Sequence, residues 1–500
     1  MTSMAGIALA LALLIVLAYR GVSVLVLAPV CALVAVAFSP GTPLLASYTQ
    51  VFMTALGGFV IAFFPLFLLG AIFGKLMEAS GAAMAIAQGI VRWLGARQAV
   101  MAVAGACAVL TYGGVSLFVV AFAVFPIAAA LFRQAKIPKR LIPATIALGA
   151  FTFTMTALPG TPAIQNAIPM PYFGTTAFAA PGLGVIGGAI MFGLGGWWLH
   201  WRARAALKAA EGYGADEAPL APADALSLNG SSAMPLGWAL TPVVVVIVLN
   251  YLLATALWPA LNTAYLADPR YGATSLQSLR GLWSVVGALC AAIVTLAGLW
   301  WLTRRMRADL GSGRQTTAAP GGGEPTPEEN EEDSQRPDAS FRTVLEQGAT
   351  ASVMPLMNTA SLVGFGAVIA SLAGFALIRD AVLGIAPGHP LVSMSIAVNI
   401  LAGITGSASG GMSIALHTLG DTWMEMGRAA GIAPDLMHRV IAIATGGLDA
   451  LPHNGAVITL LGICRLTHRQ SYADIFVVAV AVPVLALAAV VLLGSLFGSF

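Results

Sequence analysis

Asp449 is the residue whose position most demands a chemical reason. It follows the uncharged run Ile441–Leu448 and precedes Pro452-His453-Asn454. An ionisable group set in apolar sequence is costly to place in a membrane and is by default functional. A carboxyl there can exchange a proton at physiological pH, and an imidazole has the intrinsic range for the same task. Asp449 and His453 are therefore the expected proton-coupling groups. His417 is a weaker candidate, because it stands just before Gly420-Asp421, where a helix could end.

Neutral polar residues gather in four short segments that interrupt otherwise apolar sequence. The Gly-rich stretch Thr111–Ser116 contributes Thr111, Gly113, Gly114 and Ser116, and Thr405–Ser413 contributes Thr405, Ser407 and Ser409. The Pro-centred stretch Leu158–Pro171 contributes Pro159, Thr161, Gln165 and Asn166, and Leu451–Gly455 contributes Asn454. A helix broken inside a membrane survives only where protein or a water-filled cavity satisfies its freed backbone groups. The N-termini created there offer unpaired N–H groups and a positive dipole end, which suit a carboxylate. Gly, Ser and Thr also serve simply to let helices pack closely. The recurrence of each segment in both halves of the chain favours a substrate-binding site over packing alone.

The elements that position these segments follow from composition. The chain is 58% hydrophobic and 9% charged, with a mean hydropathy of +0.88. Soluble domains carry roughly 25% charged residues, so this chain could not cover its surface in water. Apolar runs recur at the length of about 20 residues that crosses a hydrocarbon core. They far exceed the roughly 10-residue alternation of a barrel strand, and an all-α polytopic membrane protein with about 12 transmembrane helices is expected. The lipid bilayer is one partner. The net charge of +3 lies in loops, where it sets topology, and implies no nucleic acid.

Two polar stretches divide the chain. The second passes from Arg304, Arg305 and Arg307 into the acidic run Glu328-Glu329-Asn330-Glu331-Glu332-Asp333. The expected organisation is an N-terminal helical hairpin (1–50), a first repeat (51–201), a cytoplasmic linker (202–235), a connecting helix pair (236–303), a charged disordered linker (304–342) and a second repeat (343–500). The duplication rests on order and spacing. Gly113 to Pro159 and Gly406 to Pro452 are both 46 positions apart. Pro65 and Pro355 open Gly-rich spans at matching points. Basic residues precede the Pro motif in the first copy (Arg133, Lys136, Lys139, Arg140) and follow it in the second (Arg465, His468, Arg469). By the positive-inside rule the copies are inverted, a frequent plan of secondary transporters with the site where the copies meet.

Other chemistries lack their residues. Gly182-Leu-Gly184-Val-Ile-Gly187 lies in an apolar span with no preceding strand, and Gly70–Lys75 is one residue short of a phosphate loop. No zinc-peptidase motif occurs, and the four cysteines have no metal-ligand spacing. Neither an enzyme nor a bound metal or cofactor is expected.

The segments YGGVSLFVVAFAVFPIA, TALPGTPAIQNAIPMPYFGTTA and GLDALPHNGAVITLLGI resemble the gluconate permease (GntP) family of the ion transporter superfamily. The resemblance covers most of the chain outside the linkers. It implies a proton symporter of the bacterial inner membrane, with two inverted repeats carrying re-entrant hairpins and broken helices. It implies import of a small carboxylate, either a sugar acid such as gluconate or a hydroxy acid such as 3-hydroxybutyrate. Sugar-acid members carry a His beside the first-half prolines, whereas this chain reads Leu158-Pro159-Gly160-Thr161-Pro162. A smaller, less hydroxylated acid suits that departure. A Na+-coupled carrier and a passive anion channel are the competing readings, and a homodimer would supply a fixed scaffold.

Overall fold

The computed structural model describes residues 2–20, 22–214, 234–315, 340–384, 386, 388–452 and 454–500. His453 and most of both polar linkers lie outside the described residues. Among the described residues every regular element is helical. Seven helices among the described residues are long and apolar enough to cross a membrane: Leu44–Ala79, Leu117–Gln134, Pro181–Lys208, Leu236–Ala260, Leu276–Arg305, Phe341–Ser371 and His468–Phe497. Six further apolar helices are shorter, including Ala99–Tyr112, Pro390–Thr405 and Gly455–Cys464. The chain is a polytopic α-helical membrane protein. The full-length spans fall below the expected number because the interruptions cut several helices short.

Element order repeats. Leu44–Ala79, Ala82–Leu94, Ala99–Tyr112, Leu117–Gln134, Ile142–Ala150 and Pro181–Lys208 correspond in turn to Phe341–Ser371, Phe375–Gly384, Pro390–Thr405, Ala408–Ala429, Pro434–Ala444 and His468–Phe497. Equivalent helices run antiparallel. Gly348 faces Ile72 while Gly364 faces Phe52, so the two long Pro-containing helices cross in opposite directions. Likewise Gly182 meets Phe500, Gly187 meets Val490, and Trp198 reaches Asp474. The copies are therefore inverted about an axis near the crossing of these helices.

The N-terminal hairpin also has a counterpart. Thr2–Tyr19 and Val24–Ala37 pack on each other, as do Leu236–Leu252 and Leu276–Gln315. Val24–Ala37 lies against Phe341–Ser371, and Leu276–Gln315 lies against Leu44–Ala79. Each helix pair thus crosses over to the long helix of the other copy. No sequence motif marks this correspondence, because both pairs are plain apolar helices.

The long-helix crossing depends on glycine. A Cβ at Gly348 would stand 2.7 Å from the Ile72 Cα, a backbone atom that cannot yield. Overpacking of this kind costs about 1–3 kcal/mol. Gly348→Ala should therefore lower the melting temperature of the detergent-purified protein. Gly57→Ala, where nothing lies within 4 Å, should leave it unchanged or slightly raised.

Candidate functional site

In the first copy the helix Ala99–Tyr112 ends at Gly113, and the chain reverses through Gly114 at φ +96°. That left-handed conformation favours glycine. Ser116, exposed, caps the next helix by accepting from the Val119 N–H at 3.5 Å. This turn is docked on the Pro-centred segment. The Tyr112 hydroxyl donates to the Pro159 carbonyl at 2.6 Å, and a Cβ on Gly114 would lie 2.9 Å from Pro162. From the connecting pair, the Asn250 amide donates to the Gly160 carbonyl at 3.2 Å.

Asn166 organises the remainder of this break. It is fully buried, and its Nδ2 donates to the carbonyls of Thr161 and Ala177, each at 3.0 Å. Its Oδ1 receives His438 Nε2 and Arg439 Nη1, each at 3.2 Å. With Nε2 donating, His438 Nδ1 accepts from the Thr175 hydroxyl, which fixes a neutral tautomer.

Arg439 is fully buried on the short helix Pro434–Ala444 of the second copy, yet all its partners belong to the first. Nε and Nη2 donate to the Ala179 carbonyl at 3.0 and 2.7 Å, and Nη2 also reaches the Ala177 carbonyl at 3.3 Å. Nη1 reaches the Thr156 carbonyl at 3.4 Å as well as Asn166. Every one of these oxygens is neutral. The donors of the guanidinium are satisfied by dipoles, while its charge is left without a counter-ion among them. Gly184 must lack a side chain here, since a Cβ would approach the Ala157 carbonyl at 2.4 Å and Arg439 Nε at 3.2 Å.

The second copy repeats the docking with different atoms. Gly406, at φ +59°, ends the helix Pro390–Thr405, and Ser407 caps the next by accepting from the Gly410 N–H at 3.1 Å. The Thr405 hydroxyl donates to the Ser407 carbonyl at 3.2 Å, and the hydroxyls of Ser407, Ser409 and Thr359 form a chain with links of 3.4 and 3.3 Å. Asn454 caps Gly455–Cys464, accepting from the N–H groups of Ala456 and Val457 at 2.6 and 3.2 Å. Its Nδ2 donates to the carbonyls of Gly406 and Asp449 at 2.9 and 2.6 Å. Asn166 and Asn454 are thus the same device, an amide bridging the carbonyl five residues upstream to a neighbouring strand of the break. Asp449 is half-buried beside Ala450, whose carbonyl accepts from the Tyr472 hydroxyl at 3.1 Å.

The two sites meet. Gly446, three residues before Asp449, has its Cβ position 3.4 Å from Thr156 Cγ2. Pro434–Ala444 carries His438 and Arg439 into the first site and then runs directly into the second break. Among the residues nominated by sequence, Thr111 Oγ1 and Gln165 Oε1 are buried with no hydrogen-bond partner and have capacity for a ligand. Thr161 is engaged, accepting from the Ala163 N–H at 3.3 Å. His453 lies outside the described residues.

Sequence reasoning missed Tyr112, Asn250, His438 and Arg439 as site components. The signal for Arg439 is its position within the first turns of a run that continues uncharged to Leu448. Also missed is Asp474, buried and accepting from Arg140 at 3.1 Å, Arg202 at 2.8 Å and Trp198 at 3.1 Å. Arg140 pairs with Glu211 at 2.7 Å as well, and that guanidinium holds the Glu211 carboxyl below its usual range. These contacts join the basic loop before the first Pro motif to the helix after the second. Arg439 makes the reciprocal link. A separate open cavity of about 570 Å³ lies between the two long helices and Tyr172, with Gln50, Thr54, Phe59, Phe63 and His417 in its wall.

Broken, antiparallel repeats around a buried charge define a membrane transporter. No family model matches the sequence. The chain is 41% identical over 504 residues to the uncharacterized transporter YxjC of Bacillus subtilis (strain 168), covering 98% of each protein. It belongs to that transporter family.

Removing Arg439 would leave the carbonyls of Thr156 and Ala179 unmet, at about 1–3 kcal/mol for each buried orphan. Arg439→Ala is expected to lower the melting temperature markedly. Arg439→Lys should recover only part of the loss, because a point-like ammonium cannot span the planar fork's acceptors. Thermal unfolding in detergent checks both.

Proposed function

We propose that the protein is a secondary carrier of the gluconate permease type, coupling import of a small organic carboxylate to protons across the bacterial inner membrane. The observation that carries this reading is Arg439, whose buried charge is held at the first break by neutral oxygens alone. A positive potential in a low-dielectric site attracts an anion and disfavours a cation nearby. Thr111 Oγ1 and Gln165 Oε1 supply polar atoms on the same broken elements. The hydroxyl of Thr111 can donate to a carboxylate, and the Gln165 carbonyl oxygen can accept from a substrate hydroxyl. Asp449 then stands at the other break as the group that takes up the coupling proton.

Inversion explains alternating access. Each copy docks its own Gly-rich turn on its own Pro-centred segment, and each also holds the other copy's end through buried charge. Two equivalent arrangements related by the inversion would expose the site to opposite faces. The reading is transport without chemical conversion.

One observation favours Na+ as a second reading for the coupling ion. In the second copy Asn358 Oδ1, Ser361 Oγ, Asn399 Oδ1 and Ser413 Oγ are buried oxygens without partners. Hard cations bind such neutral oxygens.

Uptake of labelled 3-hydroxybutyrate and gluconate into proteoliposomes separates these readings. Accumulation driven by an inward proton gradient in Na+-free buffer, and abolished by a protonophore, is the expected result. Asp449→Asn should abolish gradient-driven accumulation while retaining exchange of internal for external substrate. Accumulation that requires Na+, or equal proton-driven uptake by Asp449→Asn, would overturn the proton assignment.

A further inference from the structure

The cavity between the long helices is not used by the site described above, and its lining is mixed. Phe59 and Phe63 from Leu44–Ala79 and Val363 from Phe341–Ser371 are apolar. Gln50, Thr54, Tyr172 and His417 are polar. At about 570 Å³ it is large enough for a small ligand with water. Its position ties it to the carrier's moving parts. Tyr172 and Pro171 line it and lie on the helix Pro169–Phe173, directly after the helix that bears Gln165 and Asn166. His417 is on Ala408–Ala429, the helix capped by Ser407 at the second break. The cavity therefore touches one element from each broken site.

We propose that this cavity is the entry vestibule for substrate, and that it selects short-chain hydroxycarboxylates over polyhydroxylated sugar acids. The inference rests on the carboxylate-carrier reading above. His417 offers an imidazole N–H as the first donor the carboxylate meets, and Thr54 and Gln50 take its hydroxyl. The alkyl part lies on Phe59 and Phe63, where a chain of four or five hydroxyl groups would leave several facing aromatic rings unpaired. Each polar group so stranded weakens binding. The other titratable groups near His417 are Asp421, one turn further on the same helix, and Tyr172 across the cavity. The cavity-lining residues of the two long helices carry no charge.

Adjacent glycines on one helix provide the test. Gly58 lines the cavity and Gly57 does not, yet neither has any atom within 4 Å of its Cβ position. A Cβ therefore meets nothing at either position, and only Gly58→Leu puts its side chain into the vestibule. In full-length protein reconstituted in liposomes, Gly58→Leu is expected to raise the KM for 3-hydroxybutyrate about tenfold or more, the scale of a lost apolar contact surface. Gly57→Leu should stay within about twofold. His417→Ala should raise the KM about tenfold, and His417→Gln, which keeps an N–H donor, should recover most of that loss. Gluconate should compete poorly throughout. Equal KM values for the two glycine variants, or equal competition by gluconate, would overturn the vestibule while wild-type uptake still upheld the carrier. Gly58→Leu with normal transport but loss of a co-purified phospholipid would make the cavity a lipid seat and overturn it too. A wild type that accumulates none of these acids would overturn the carrier reading and this proposal with it.

Discussion

A guanidinium deep in a membrane protein, held by carbonyl oxygens alone, sets the terms for the rest of the structure. Arg439 can sit there only because the backbone of the other copy is opened at Thr156, Ala177 and Ala179 to receive it. Those carbonyls are open to side-chain donors only because the helix is broken at Pro159 and again around Gly174. The break in turn needs Tyr112, Asn250 and Asn166 to satisfy what remains. Remove any member and a buried polar group is stranded, so the broken segment, the glycine turn and the cationic helix form one cooperative unit. Such networks are stable when complete and costly when partial.

The inversion makes this unit asymmetric in a useful way. Asn166 and Asn454 perform the same bridging in the two copies, and the Gly-rich turns are alike. Only the second copy's short helix carries a cation, and only the second break carries a carboxylate. A fixed positive charge therefore serves the first break and a titratable negative group serves the second, and the two breaks touch where Gly446 packs against Thr156. Under the proposed function, anion binding at one break would stabilise the positive end of the pair, and protonation at the other would remove the residual charge. The carrier would then change conformation with less charge to move through a low-dielectric interior.

Much of the architecture was legible in the sequence because motif spacing and loop charge are covalent facts. The 46-residue interval, the paired prolines and the reversed basic bias all point to inversion, and antiparallel equivalent helices are what the structure contains. The swapped helix pairs were not legible, since apolar helices such as Val24–Ala37 carry no signature of what they pack on. The site was only half legible. Thr111 and Gln165 stand at the breaks, and both keep unpaired atoms. Asn166 and Asn454 stand at the breaks too, yet their amides are occupied in holding backbone, which composition cannot reveal. Arg439 was hidden by convention: a charge near an end of an apolar run reads as a loop residue until its burial is known. Asp474 was hidden in the same way behind Arg465, His468 and Arg469.

The central claim is that anion binding and proton uptake are one event divided between the two breaks. Proton uptake on adding 3-hydroxybutyrate to the purified protein, followed with a pH-indicator dye in weakly buffered detergent solution, tests it most directly. The account predicts about one proton taken up per carboxylate bound near neutral pH, and none in Asp449→Asn although the acid still binds. Binding without proton uptake in the wild type, or unchanged uptake in Asp449→Asn, would contradict it.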